Sequence, residues 1–443
     1  MKLSKNLINQ YLYFFIFSIY VVFNGGNSNL LIQINFIFIS LFFLHCIKDK
    51  NYFAHLKFFY KKNEKSIFFY LFFLIYLLFQ IIPFPIEYLK ILSMVKYNFI
   101  SKLSNNILFT PISFSPSDTF FQILNYISLL ILVFILKMIF YKNTHKNRIY
   151  LFLSIIGFSS SLFAILMYLN NNPDFLFLQK SYYLNSSTGF FVNRTVFSIF
   201  LLFCLIASFE FFKNLDDIKI FKKQDNFLLK IYIRLFILFI TIGIITTFSR
   251  IGNFLLLITV LSYLFNEIFL LKNNNKSFRN VILLIIFFDI IILGFYFGSS
   301  QLLDRFLFLN EELNINTLNS LNLSRFQVAK FGLTQIFEFK FFGYGAGSFE
   351  TLFKVNFKNL NNFYANHSHS DIIEFIGEFG IIGISMLIIS ISKFFFNMKS
   401  YNFINLIMIS YIIILLLFDF SLHIPIIQIC LIMFLTLNAK STQ

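Results

Sequence analysis

The chain has 443 residues, 58% of them apolar and 13% charged, with a mean hydropathy of +0.76. A soluble domain averages about 45–50% apolar and about 25% charged residues, so a water-soluble globular protein is excluded and a polytopic membrane protein is expected. The net charge of +16 does not point to nucleic acid, because the basic residues follow a membrane pattern, described below.

A bilayer core takes about 20 apolar residues per helix. Twelve such runs occur: 7–25, 29–47, 66–83, 119–140, 149–169, 195–212, 228–247, 253–271, 280–298, 372–392, 402–419 and 422–438. They are too long and too uniformly apolar for barrel strands, and open sheets do not exist at membrane depth. The expected fold is therefore an all-α polytopic membrane protein with about 12 transmembrane helices. Lys2 and Lys5 precede the first run without a small-residue cleavage site after it, so that run is expected to be a retained helix. Cys46, Cys204 and Cys430 lie in or at the ends of apolar runs, without the spacing of a zinc or disulfide framework.

Lysine and arginine concentrate in the connections 48–65, 141–148, 213–230 and 272–279. Placing these in the cytoplasm with both termini, Lys137, Arg234, Lys393 and Lys399 puts about two thirds of the 36 basic residues there, as the positive-inside rule requires. The chain then divides into spans 1–9 over 1–298, a long outside loop over 299–371, and spans 10–12 over 372–443. No inverted internal repeat is visible, which weighs against a transporter.

Three arginines run against that charge bias. Arg194 stands in "GFFVNRTVF", Arg250 in "TTFSRIGNF" between two spans, and Arg325 in "LNLSRFQVAKFGL". An outside arginine is commonly an interfacial anchor. The short turn around Arg250 leaves little room for that, and a guanidinium fork matches phosphate oxygens. "FFGYGAGSFE" carries Gly343, Gly345 and Gly347 without a βαβ context, so close backbone approach is expected there and nucleotide binding is not. Asp289 falls near the middle of the ninth span, where a functional role and a simple internal hydrogen bond both remain open.

The stretch "NHSHSDIIEFIGEFGIIG" (366–383) holds two of the six histidines. His367, His369 and Asp371 alternate, which suits metal ligation only in an extended segment. No cysteine or second histidine cluster completes such a site outside. Glu374 and Glu378 are four apart and share a helix face.

Taken in order, these motifs resemble the O-antigen ligase and polymerase superfamily of bacterial membrane glycosyltransferases. The family signature is His, then Asn, Ser or Gln, nine residues, and Gly-x-x-Gly. Here it reads His369, Ser370, nine residues, Gly380, Ile381, Ile382, Gly383, which selects His369 over His367. Further resemblances are "FQIIPFPIEYLKILS" (79–93), Asn193–Arg194 in "GFFVNRTVF" with Thr195 in place of a second Asn, the Ser-Arg pair ending at Arg250, Arg325 followed by "FFGYGAGSF", and "FDFSLHIPII" (418–427) with Ser421 where Pro is commoner.

The resemblance implies a GT-C-like fold with its active site at the periplasmic face of the bacterial inner membrane. It implies transfer of a glycan from undecaprenyl diphosphate to lipid A–core, or, in a polymerase, to another lipid-linked glycan. No metal or other cofactor would take part. His369 would be the base, and Arg194, Arg250 and Arg325 would hold the diphosphate. Asn193 and Ser370 belong to the same motifs, and Gly380 and Gly383 would let the tenth helix pack closely on a neighbour. A flippase would instead need charged residues along several spans, whereas the polar residues here crowd the outer face.

Overall fold

A computed structural model describes residues 5–103, 107–174, 180, 182–215, 223–270, 276–291, 324–357, 365–397 and 402–438. The chain is a helical bundle. In order it forms α1 (Lys5–Val22), α2 (Asn29–Ile47), α3 (Lys50–Ile81), α4 (Ile86–Leu92), α5 (Met94–Leu103), α6 (Pro116–Ile139), α7 (Asn143–Leu169) and α8 (Arg194–Asn214). It continues with α9 (Lys223–Ile245), α10 (Arg250–Phe265), α11 (Lys276–Ile291), α12 (Arg325–Glu338), α13 (Phe349–Asn356), α14 (Asp371–Asn397), α15 (Phe403–Phe418) and α16 (Pro425–Asn438). The one sheet among the described residues is the short antiparallel pair β1 (Phe84–Pro85) and β2 (Phe109–Thr110), which ties off the segment carrying α4 and α5.

Eight of these helices are long and apolar enough to cross a membrane, and α15 and α16 are apolar but shorter. The expected twelve therefore stand as eight long helices plus shorter ones. Residues 292–298 of the ninth expected span, and the side chain of Asp289, lie outside the described residues. The basic connection expected over 48–65 is largely helix. There α3 runs on through it, bent at Asn63, whose amide donates to the Phe59 carbonyl (3.0 Å). Helical propensity extends past the hydrocarbon limit because Lys and Glu are good helix formers where water can reach them. The expected outside loop is also partly helical, with α12 and α13 inside it; 299–323 and 358–364 lie outside the described residues.

At the centre stands α8, with 89% of its span buried, whereas the other long helices bury half or less. They turn faces such as Leu41, Phe68, Ile75, Leu257 and Ile388 outward, as apolar residues in contact with lipid tails would lie. Short turns bind one end of the bundle together. The Val192 amide donates to Asn24 Oδ1 (2.9 Å), Ser187 N to Thr246 O (3.0 Å), Ser113 N to Gln80 O (3.0 Å) and Asp371 N to Asp419 O (2.8 Å). The N-termini of α2, α6, α8, α10, α14 and α16 all open at that end, with α12 and α13 covering part of it.

Candidate active site

Each of the three singled-out arginines is the first residue of a helix. Arg194 opens α8, Arg250 opens α10 and Arg325 opens α12, each half-buried. The preceding residue caps the helix every time. Asn193 Oδ1 accepts from the amides of Thr195 (2.7 Å) and Val196 (3.3 Å); Ser249 Oγ accepts from Gly252 N (3.2 Å); Ser324 Oγ accepts from Gln327 N (3.2 Å) in a full capping box. A helix N-terminus carries partial positive charge, and a cation there is unfavourable by about 0.3–1 kcal/mol. The local sequence thus places positive charge where each helix opposes it, three times at one end of the bundle. Amide groups and guanidinium together suit an anion.

Two of these termini touch. Ser249 Oγ donates to Thr195 Oγ1 (3.3 Å), and a side chain on Gly252 would meet Ser198 at 2.2 Å. Arg194 and Arg250 are the immediate chain neighbours of that hydroxyl pair. Phe248, just before, holds a φ of +50°, uncommon for a bulky residue and typical of strained functional turns. The Arg194 guanidinium lies over the Tyr183 ring, 5.0 Å from its centre.

His369 also has a left-handed backbone, φ +61°. Its half-buried ring meets Phe420 edge-on at 5.7 Å, and Nδ1 is buried without a hydrogen-bond partner. Burial, then the positive charge of Arg325 and His367, pulls its pKa down to about 4 against a smaller opposing pull from Glu374. Arg325 acts on Asp419 as well; burial raises that carboxyl, with the Ser421 hydroxyl and Arg325 opposing. Ser370 is buried, and its hydroxyl donates to the Leu416 carbonyl (3.2 Å), fixing the His369 turn to α15. So Arg325 lies near enough to His369 to act on its charge, and the helix starts that carry Arg194 and Arg250 touch. Phe420 meets His369, and a side chain on Gly25 would meet both Ile426 and Phe191.

The two motif glycines of α14 do different things. Gly383 is helical and faces Tyr76 of α3, where an added Cβ would lie 2.6 Å from the ring. Gly380 is not packed helix-to-helix. With φ +61° and ψ 179° it breaks α14, a conformation essentially reserved for glycine. The glycine-rich segment 340–348 docks into the break. Tyr344 N donates to Gly377 O (3.0 Å), Gly345 N to Glu378 O (3.2 Å) and Ile381 N to Lys340 O (2.8 Å). Gly343, Gly345 and Gly347 all have positive φ. Fully buried Gln80 locks the joint, donating to Phe342 O (2.8 Å) and Glu378 O (2.9 Å) and accepting from Ala346 N (3.3 Å). The Gln-x-x-Pro-x-Pro stretch and the glycine stretch, more than 250 residues apart, are one structural unit.

Below His369 the acids of α14 form a buried cluster around His423, which sequence reasoning missed. His423 Nδ1 bonds Asp371 Oδ1, and Leu422 N donates to Asp371 Oδ2 (2.8 Å). His367 Nδ1 is 2.9 Å from Glu374 Oε1. Burial alone would lower the His423 pKa, but the Glu374 and Asp371 carboxylates outweigh it and raise it well above the ordinary value. The signal available was the closing "DFSLH" motif, whose histidine sits 52 residues beyond Asp371.

Residues 235–388 match the family model described as O-antigen ligase, which places this part of the chain in the O-antigen ligase superfamily. The match takes in Arg250, Arg325, His369, Ser370, Gly380 and Gly383; Asn193 and Arg194 precede it. No curated protein matches the chain.

Proposed function

We propose that this chain, a member of the O-antigen ligase superfamily over 235–388, transfers a finished glycan from undecaprenyl diphosphate to lipid A–core at the periplasmic face of the inner membrane. The observation that carries the reading is His369, whose Nδ1 has no hydrogen-bond partner and which feels the charge of Arg325, at the same end of the bundle as the touching helix starts of Arg194 and Arg250. The anomeric carbon of the donor sugar forms a bond to the acceptor hydroxyl oxygen. Its bond to the diphosphate oxygen breaks, and undecaprenyl diphosphate leaves. The hydroxyl proton passes to His369. Arg194, Arg250 and Arg325, with the amides of the helix ends they occupy, hold the growing charge on the leaving group.

The low pKa of His369 fits this sequence of events. A free imidazole with a pKa of about 4 is neutral and has a lone pair, but is a weak base. Donor binding places a diphosphate against Arg325 and so relieves the positive field on the imidazole. The base strengthens only when there is something to transfer.

The test is a deletion strain complemented with wild type or His369→Ala, with surface glycan and lipid-linked glycan both measured. A ligase loses long glycan from lipid A while lipid-linked polymer accumulates. Surface lipid A capped with single repeats identifies a polymerase acting at the same site. Normal surface glycan with His369→Ala sinks the catalytic assignment.

A further inference from the structure

The cluster beneath His369 is more ordered than a fold contact requires. His423 is 5% exposed, and Glu374 and Glu378 are 1% exposed. Each has one polar atom already held. His423 Nδ1 is bonded to Asp371, Glu374 Oε2 accepts from Ser368 N (2.9 Å), and Glu378 Oε1 accepts from Gly347 N (2.8 Å). The remaining atoms face one another. His423 Nε2 lies 3.6 Å from Glu374 Oε1 and 3.5 Å from Glu378 Oε2, and it has no hydrogen-bond partner. His367 Nδ1 joins from the side, so that one donor atom each from His367, Glu374 and His423 lies within 4.8 Å of the others. The rings are fixed: His423 stacks on Phe375 at 4.1 Å and His367 on Phe420 at 4.5 Å.

With Nδ1 held by Asp371, His423 turns its Nε2 toward two carboxylates. Buried, that grouping needs positive charge among them, either a proton on Nε2 or a metal ion. A proton would draw the partners to ordinary hydrogen-bond length, about 2.7–2.9 Å for a charge-assisted pair. Zinc-type ions sit about 2.1 Å from nitrogen and oxygen ligands, which puts tetrahedral donors about 3.4 Å apart, close to the 3.6 and 3.5 Å at His423 Nε2, while His367 Nδ1 and Glu374 Oε1, at 2.9 Å, would open slightly around the ion.

We propose that His367, Glu374 and His423, with Glu378 beside His423, bind one divalent cation of the zinc type. Asp371 orients His423 from behind, the carboxylate–histidine arrangement common around protein-bound metals. The donors come from three separate segments and lie largely buried inside the fold, so the ion is structural. It clamps the loop bearing His369 to the 421–423 turn and, through Glu378 and Gly347, to the glycine segment. It does not contact the diphosphate, and the proposal is independent of the glycosyl-transfer reading.

Metal content is measured by mass spectrometry on full-length protein in detergent, after tag removal and washing with a mild chelator. About one ion per chain is expected. His367→Ala, which alters the most exposed ligand, should weaken retention at least tenfold. His369→Ala should keep the ion even if transfer is lost, which separates failure of this proposal from failure of the catalytic one. Wild type stripped with a strong chelator should take up Co2+ with a visible d–d band and regain thermal stability. Stripped wild type that binds neither Co2+ nor Zn2+, or a His367→Ala protein that retains the ion as wild type does, overturns the proposal.

Discussion

Replacing Gly380 by alanine perturbs the joint between α14 and the glycine segment without touching a charged group. The φ of +61° with ψ 179° costs an alanine about 1–3 kcal/mol. The added Cβ would lie 2.3 Å from Phe341 O and 2.6 Å from Gly343 N, both backbone atoms that cannot rotate away. Relief requires residues 340–343 to retreat. That breaks the bonds from Ile381 N to Lys340 O (2.8 Å) and from Ile382 N to Phe341 O (3.3 Å), at about 1 kcal/mol each. The expected loss is about 3–5 kcal/mol. All three cysteines are buried, so a fluorogenic thiol reagent reports unfolding as the detergent-solubilised protein is heated. The midpoint should fall by roughly 5 °C or more. Gly383→Ala should fall less, because its Cβ meets side-chain atoms of Tyr76 and Phe379 rather than backbone, and its own backbone is helical. A Gly380→Ala protein that melts within a degree of wild type would refute the reasoning.

Asn193→Ala removes an acceptor from two amides at the start of α8 and should cost about 1 kcal/mol in the same thiol assay. Arg250→Lys keeps the charge but loses the planar fork; the expected result is at least about a tenfold fall in kcat/KM for the lipid-linked donor, read in a reconstituted transfer assay. With His369 held near pH 4 in the free protein by burial, Arg325 and His367, kcat/KM for the donor should stay flat down to about pH 5. The acid limb of kcat should lie at higher pH, because bound diphosphate offsets Arg325; coincident limbs would contradict donor-induced activation of the base. Asn366 is exposed at the start of the His369 turn, so Asn366→Cys should react with an impermeant thiol reagent in intact spheroplasts. Protection there would reverse the orientation. Ser348 suits no such probe, since it is fully buried against Ser113.

The sequence alone determined that this chain enters a membrane, the order of its apolar runs, and which short motifs are candidates for chemistry. Those properties are local: hydropathy over about 20 residues, an arginine after a capping side chain, a histidine in register with two glycines. Tertiary packing decided what local spacing cannot carry. Gly380 read as a helix-packing position, yet it opens α14 because Lys340–Gly345 and Gln80, distant in the chain, need its backbone. Glu374 and Glu378 read as neighbours on a helix face, which they are, but the residue that gathers them with Asp371 is His423. Its role depends on the turn after α15 folding back over the start of α14. Nothing in the pattern around position 423 encodes that approach, because burying those charges together becomes tolerable only when every partner arrives at once.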